Sequence, residues 1–315
     1  MILTSHSPDR RLVLQGLAAV ATAASTRASA NGLPPAFVAL GDWGREGQMR
    51  QTDVAGAMAR AAAQVASRLV ISAGDNFYPA GVRSVDDPQW KASFEDVYAA
   101  PSLQIPWYAA LGNHDYRGHP GAQVAYSRGH SRWRMPDRRY VVTGAETGIP
   151  DLDLFVLDTT PLVGDYDEAL ARLMRGRVAV PAPDPQLAWL RGALQASRAD
   201  WKIVVGHHPI RSGGHHGGSP ALTADLEPLL AAHGVQAYIC GHDHVLQHIR
   251  GGGIDHVCTG AGATAGQVAD VEGTLFRRGA PGFALFTLEP QALRLAFRDA
   301  GGRTLYEGLI PKRRA

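Results

Sequence analysis

Five times along this 315-residue chain a short apolar run ends and side chains able to grip a metal ion follow at once. Val38-Ala39-Leu40 leads into Gly41-Asp42-Trp43-Gly44, and Val70-Ile71-Ser72 leads into Gly74-Asp75-Asn76-Phe77-Tyr78. Tyr108-Ala109-Ala110-Leu111 precedes Gly112-Asn113-His114-Asp115; Ile203-Val204-Val205 precedes Gly206-His207-His208-Pro209; Tyr238-Ile239-Cys240 precedes Gly241-His242-Asp243-His244. Carboxylate, imidazole, amide oxygen and phenol suit hard or borderline ions such as Fe(III), Fe(II), Mn(II) and Zn(II). The chain has no thiolate cluster, which excludes a Cys-type zinc site. A carboxylate can bridge two ions. Any one of these stretches alone reads as a turn; all five together, each behind an apolar run, point to one shared rim.

The elements that must position them follow from the apolar pattern. Runs at 36–40, 69–72, 107–111, 152–157, 203–205 and 237–240 read as buried strands, with shorter candidates at 283–288 and 293–298. Helical patterns lie between them at 55–67, at 184–197 behind Asp184-Pro185, and at 222–233 ahead of Gly234. Alternating strands and helices predict an α/β fold, in which ligands bind outside the carboxyl ends of the strands. The glycines are expected to let the backbone turn sharply into the site. One domain is expected over 31–315, with a looser, lid-like loop at 163–183.

The series Gly41-Asp42, Gly74-Asp75-Asn76-Phe77-Tyr78, Gly112-Asn113-His114-Asp115, Gly206-His207 and Gly241-His242-Asp243-His244 resembles the calcineurin-like metallophosphoesterases. Tyr78, three residues after Asp75, narrows the resemblance to purple acid phosphatases of the small, tartrate-resistant type. Trp43-Gly44, the run 122–127 and Gly260-Ala261-Gly262 share it. The resemblance implies a sandwich of two mixed β-sheets flanked by helices, with the metal site at the C-terminal ends of strands. It implies a ferric site of Asp42, Asp75, Tyr78 and His244, and a divalent Fe(II), Zn or Mn site of Asp75, Asn113, His207 and His242, bridged by Asp75. His114 and His216 match histidines that touch the phosphate or leaving group, with His215 as a competitor for the second role. The implied reaction is hydrolysis of phosphate monoesters by a metal-activated hydroxide. A phosphodiesterase with the same centre is the nearest alternative, and a non-hydrolytic iron or redox protein a more distant one. His208 stands where the mammalian members carry Tyr, either adjusting substrate contacts or lying as a loop histidine. His119, His130, His233, His248 and His256 read as surface or structural.

Charge adds little to partner choice. The chain holds 31 basic and 29 acidic residues; three basic and one acidic fall within residues 1–30, leaving 28 of each in the body. No basic face for nucleic acid emerges. Arg10-Arg11, the mildly apolar stretch behind them and Ala28-Ser29-Ala30 resemble a twin-arginine export signal, an ordinary Sec signal or a disordered tail being the alternatives. The expected product is an exported, periplasmic or secreted monomer that acts on a small phosphate ester and is not inserted in a membrane. Cys240 and Cys258 read as two buried thiols on strands, with a single disulfide as the alternative.

Overall fold

The computed structural model describes residues 32–163 and 184–313. The export segment expected over 1–30 and nearly all of the loop expected over 163–183 lie outside the described residues. Two seven-stranded mixed sheets form the body. The first contains β1 (Ala36–Leu40), β2 (Val70–Ser72), β3 (Trp107–Ala109) and β4 (Trp133–Arg134), with β12 (Gly282–Leu288), β13 (Ala292–Asp299) and β14 (Thr304–Pro311), in the order β14-β13-β12-β1-β2-β3-β4. The second contains β5 (Tyr140–Val142), β6 (Leu152–Val156), β7 (Trp201–Val205), β8 (Ala237–Cys240), β9 (Leu246–Gly251), β10 (Ile254–Thr259) and β11 (Thr274–Arg278), in the order β11-β9-β10-β8-β7-β6-β5.

The continuous apolar runs became central parallel strands because such strands are covered on both faces. All five residues of β1 and of β7 are buried. β1 through β4 run parallel, as do β6, β7, β8 and β10, so each sheet presents a row of strand ends on one edge. The expected run at 107–111 leaves the ladder after Ala109, where the Ala110 carbonyl accepts the side-chain amide of Asn76 at 2.8 Å. Strands β11 and β14 escaped the pattern because they lie at sheet edges and are largely exposed.

Among the described residues the longer helices are α1 (Gln51–Val65), α2 (Pro120–Tyr126), α3 (Asp184–Ala196) and α4 (Pro220–Ala232). Helix α1 buries Val54, Ala55, Met58, Ala61 and Ala62, spaced to form one face. Ala66 ends it in the left-handed region (φ 49°), its N–H turned back to the Ala62 carbonyl. At the start of α4 the Ser219 hydroxyl accepts the Leu222 N–H and caps the helix, and Pro220 opens it. No helix among the described residues is long and apolar enough to cross a membrane.

A fully buried aromatic cluster lies behind the first sheet's rim: Trp43, Phe77, Phe94, Tyr98, Trp107 and Trp133. Two of its members come from the rim loops themselves. Trp43 and Phe77 point into the cluster, 5.6 Å apart between ring centroids, and so hold Asp42 and Tyr78 against the opposite side.

Candidate metal centre

The loops after β1, β2, β3, β7 and β8 meet at the edge where the two sheets adjoin. Backbone hydrogen bonds join them: Gly41 N–H to Thr259 O (2.9 Å) between sheets, Asp42 N–H to Gly74 O (3.0 Å), and Gly241 N–H to His207 O (3.0 Å). Asp42, Asp75 and His242 sit at φ 61°, 49° and 68°. Non-glycine residues in that region are uncommon and carry strain that clusters at functional sites. The sharp turn is thus taken mostly by the site residues, with Gly74 (φ 88°) the one preceding glycine that shares it. The others are needed for space. A Cβ on Gly112 would lie 2.2 Å from Asp75 Oδ1, and one on Gly241 would lie 2.3 Å from Asp42 Oδ2.

The structure brings together all seven residues expected as ligands, in two groups. Tyr78 Oη lies 2.9 Å from Asp42 Oδ1, 2.7 Å from Asp75 Oδ2 and 3.1 Å from His244 Nε2. Asn113 Oδ1 lies 3.1 Å from both His207 Nε2 and His242 Nδ1, and His207 Nε2 lies 3.5 Å from Asp75 Oδ1. Asp75 therefore faces both groups. Asp42, Asp75 and His207 are buried, and their donor atoms lie within 4.8 Å of one another.

These donors fit metal ions because they are acceptors facing acceptors. His207 Nδ1 lies 2.9 Å from the Ala73 carbonyl, which can only accept, so Nδ1 carries the proton. In neutral His207 the Nε2 lone pair then faces the Asn113 oxygen. Around Tyr78 a single hydroxyl proton serves two carboxylates and an imidazole nitrogen. A cation in each group resolves the shortage. The titration shifts describe the same imbalance. Burial, then the charges of Asp42 and Asp75, push the Tyr78 phenol well above its ordinary range. For His207 burial pulls downward, but Asp75, Asp42 and the Ala73 carbonyl outweigh it and raise the value. His242, buried among other imidazoles, is held well below the usual histidine range.

Groups outside the seven hold them in place. Thr264 Oγ1 meets His244 Nδ1 at 2.8 Å. Asp115, buried, accepts from the backbone of Gly112 (2.8 Å) and Asn76 (3.1 Å) and from Gln123 Nε2 (2.8 Å). Burial and the charge of Asp75 raise its carboxyl to about 7.

His114 is half-buried at the rim. Its backbone N–H donates to Asp75 Oδ1 (2.8 Å), and its Nδ1 donates to the Pro79 carbonyl (2.8 Å). His216 is exposed; its backbone N–H donates to Asp243 Oδ1 (2.8 Å), and its ring lies 4.3 Å from that of His242. His215 is exposed and contacts the His216 ring at 5.0 Å. His208 is buried, its ring 4.5 Å from that of His242. His233 Nδ1 donates to the Leu229 carbonyl at the end of α4, a structural use. His248 and His256 are buried polar residues of the second sheet, whereas His119 and His130 are exposed. Cys240 and Cys258 are free buried thiols at paired positions of β8 and β10. Asp243, Thr159 and Thr264 were not singled out from sequence. Asp243 sat unassigned inside a ligand motif, and Thr159 follows the β6 run as a sixth loop, which was the available signal.

Two sheets meeting at a rim of carboxylates and imidazoles define a metallophosphoesterase, and the calcineurin-like phosphoesterase profile matches residues 35–246; the chain belongs to that family. Within it, the chain is similar to tartrate-resistant acid phosphatase type 5 of Homo sapiens, at 35% identity over 309 residues, covering 90% of this chain and 94% of the relative. Purple acid phosphatase 17 of Arabidopsis thaliana is 42% identical over 237 residues, covering 73% of this chain and 68% of the relative. A solved structure described as GAP50, the anchor in the inner membrane complex of Plasmodium, superposes with a TM-score of 0.77 at 25% identity, covering 90% of each chain. Purple acid phosphatase PPD1 of Lupinus luteus shares the fold, with a TM-score of 0.65 at 16% identity over 88% of this chain and 53% of that one. The relatives imply a dinuclear metal centre.

Proposed function

We propose that the chain is a metal-dependent acid phosphatase that hydrolyses small phosphate monoesters. The observation that carries this reading is the convergence of seven donors into two groups that share Asp75. Asp42, Asp75, Tyr78 and His244 would hold Fe(III), for which a phenol oxygen is a suitable hard donor; Asp75, Asn113, His207 and His242 would hold Fe(II), Zn or Mn. When bound, the ions supply Lewis acidity toward the phosphoryl oxygens and acidify water enough for attack at mild pH. The protein's own groups do the rest. Asp75 fixes the spacing of the two groups. His114, with Nδ1–H tied to Pro79, keeps Nε2 free to hold or pass a proton at the leaving oxygen. His216 stands at the mouth on a loop tethered by Asp243.

The test is p-nitrophenol release from p-nitrophenyl phosphate and from its bis-ester, with metals counted, across pH. Faster monoester cleavage with an acidic optimum is expected. Faster diester cleavage near neutral pH would make the chain a phosphodiesterase on the same centre. No cleavage with two ions bound would move it toward a non-hydrolytic metal or redox protein. The ferric assignment has its own check: Tyr78→Phe should abolish visible charge-transfer absorption, and an unchanged spectrum would reject Tyr78 as a ligand. The protein is further read as exported, periplasmic or secreted, on the strength of Arg10-Arg11 and Ala28-Ser29-Ala30, and as a monomer. Replacing both arginines by lysine should retain it in the cytoplasm on cell fractionation, and light scattering should give the mass of one chain.

A further inference from the structure

His208 lies beside the ligand His207, and His207, His208 and His242 bring nitrogen atoms within 4.8 Å of one another. That grouping invites a third imidazole ligand. The hydrogen bonds argue for a different use. Thr159 Oγ1 accepts the backbone N–H of His207 (3.1 Å) and of His208 (3.0 Å). Both of its acceptor positions are then filled, and its own proton must go elsewhere. Among the described residues the remaining contact is His208 Nδ1 at 2.9 Å, which therefore accepts. A neutral imidazole that accepts at Nδ1 carries its proton at Nε2. A nitrogen bearing a proton cannot ligate a metal.

The Nε2–H is left without a partner among the described residues, although His208 is only 2% exposed. A buried donor with no acceptor is destabilising unless something else fills the role. The ring packs against that of His242 at 4.5 Å between centroids, and the residue's backbone carbonyl accepts the Tyr238 hydroxyl at 2.7 Å. His208, His216 and His242 together line a cavity of about 330 Å³, which also touches Ser219 and Val163. His242, which lines that cavity, also contacts Asn113 Oδ1 (3.1 Å) and His207 Nε2 (3.3 Å), so the cavity lies beside the candidate divalent group.

We propose that His208 Nε2–H is a fixed, uncharged donor to an oxygen of the phosphate group bound in this cavity, and that Thr159 sets the tautomer that makes it one. The proposal deepens the phosphate-ester reading and rests on it. His208 is a substrate-positioning contact, distinct from the proton-passing roles of His114 and His216.

The experiment uses the full protein loaded with zinc and inorganic phosphate as the probe. Long-range nitrogen–proton correlation spectra should show His208 protonated at Nε2. Calorimetry should show phosphate affinity reduced about tenfold or more in His208→Asn, which can keep the acceptor toward Thr159 but has no group at the Nε2 position. His208→Gln, which places an N–H near that position, should recover most of the affinity. His208→Phe should keep two zinc ions per chain. A proton at Nδ1, an unchanged phosphate affinity in His208→Asn, or loss of one zinc from His208→Phe each overturns the proposal. A protein that shows the Nε2 tautomer and the Asn/Gln contrast yet cleaves no phosphate ester would instead refute the phosphatase reading and leave the donor standing.

Discussion

Asp75 and Asp255 are both buried carboxylates, 2% and 0% exposed, and their surroundings differ in kind. Asp255 on β10 is saturated with donors: His248 Nε2 at 2.8 Å, Arg250 Nε at 2.9 Å and Arg313 at 2.9 Å. Close by, Glu227 of α4 receives Arg211 Nε at 2.6 Å and lies 3.1 Å from His256 Nε2. Asp75 receives a backbone N–H and a phenol, and otherwise faces His207, with Asp42 on the far side of Tyr78. One region balances its charge from within; the other is short of positive charge and donors. Buried polar groups are normally satisfied, so a buried cluster that is not points to something that binds there.

The largest effect is expected at Asp75. Asp75→Asn should leave fewer than two metal ions per chain and slow p-nitrophenyl phosphate turnover about a thousandfold or more, the effect of losing several kcal/mol of Lewis-acid stabilisation. Full occupancy of both sites by metal analysis would reject the shared-ligand role. In metal-free protein the same change should raise the melting temperature, because it removes a buried charge that lacks compensation. Asp255→Asn should act in the opposite sense. It should cost about 3 kcal/mol or more in urea unfolding, by leaving buried cations unpaired, while metal content stays at the wild-type value. Thr264→Val sharpens the contrast from the supporting shell: metal affinity should fall about tenfold or more in a competition with a chelator, and an unchanged affinity would remove Thr264 from that role.

A pH-dependent effect should come from Glu227. His256, and then Arg211, hold its carboxyl down at about 2 against an ordinary 4.5. A depressed carboxyl stabilises the fold fully above its unfolded value and loses that stabilisation as pH falls toward the folded one. Glu227→Gln should therefore weaken the protein at neutral pH and flatten the acid-unfolding profile between about 4.5 and 2, followed by circular dichroism. An unchanged profile would mean the cluster contributes nothing in acid.

The rim was readable because each ligand loop joins a buried apolar run to a ligand within a few residues of its end. Central parallel strands and the residues just beyond them are encoded locally. What escaped is encoded at a distance. Thr159 and His208 meet across 49 positions through one hydroxyl, and nothing beside either residue announces the pairing. The role of the glycines was half right from sequence. Gly74 does turn the chain, but Gly112 and Gly241 are small because an aspartate from another loop occupies the place a methyl would take. The edge strands β11 and β14 lack an apolar run because few of their residues are covered.

The rim loops divide by sheet. Asp42, Asp75, Tyr78 and Asn113 follow strands of the first sheet, and His207, His242 and His244 follow strands of the second. Every oxygen donor thus comes from one half of the sandwich and every nitrogen donor from the other. An ion held by either group would rivet the two halves together at their common edge, and its affinity would add directly to the work of prising them apart. The Gly41 amide, which crosses the seam to Thr259, is the built-in gauge of that joint. Its hydrogen exchange should be slow in loaded protein and should quicken on chelation before the aromatic cluster behind Trp43 loosens.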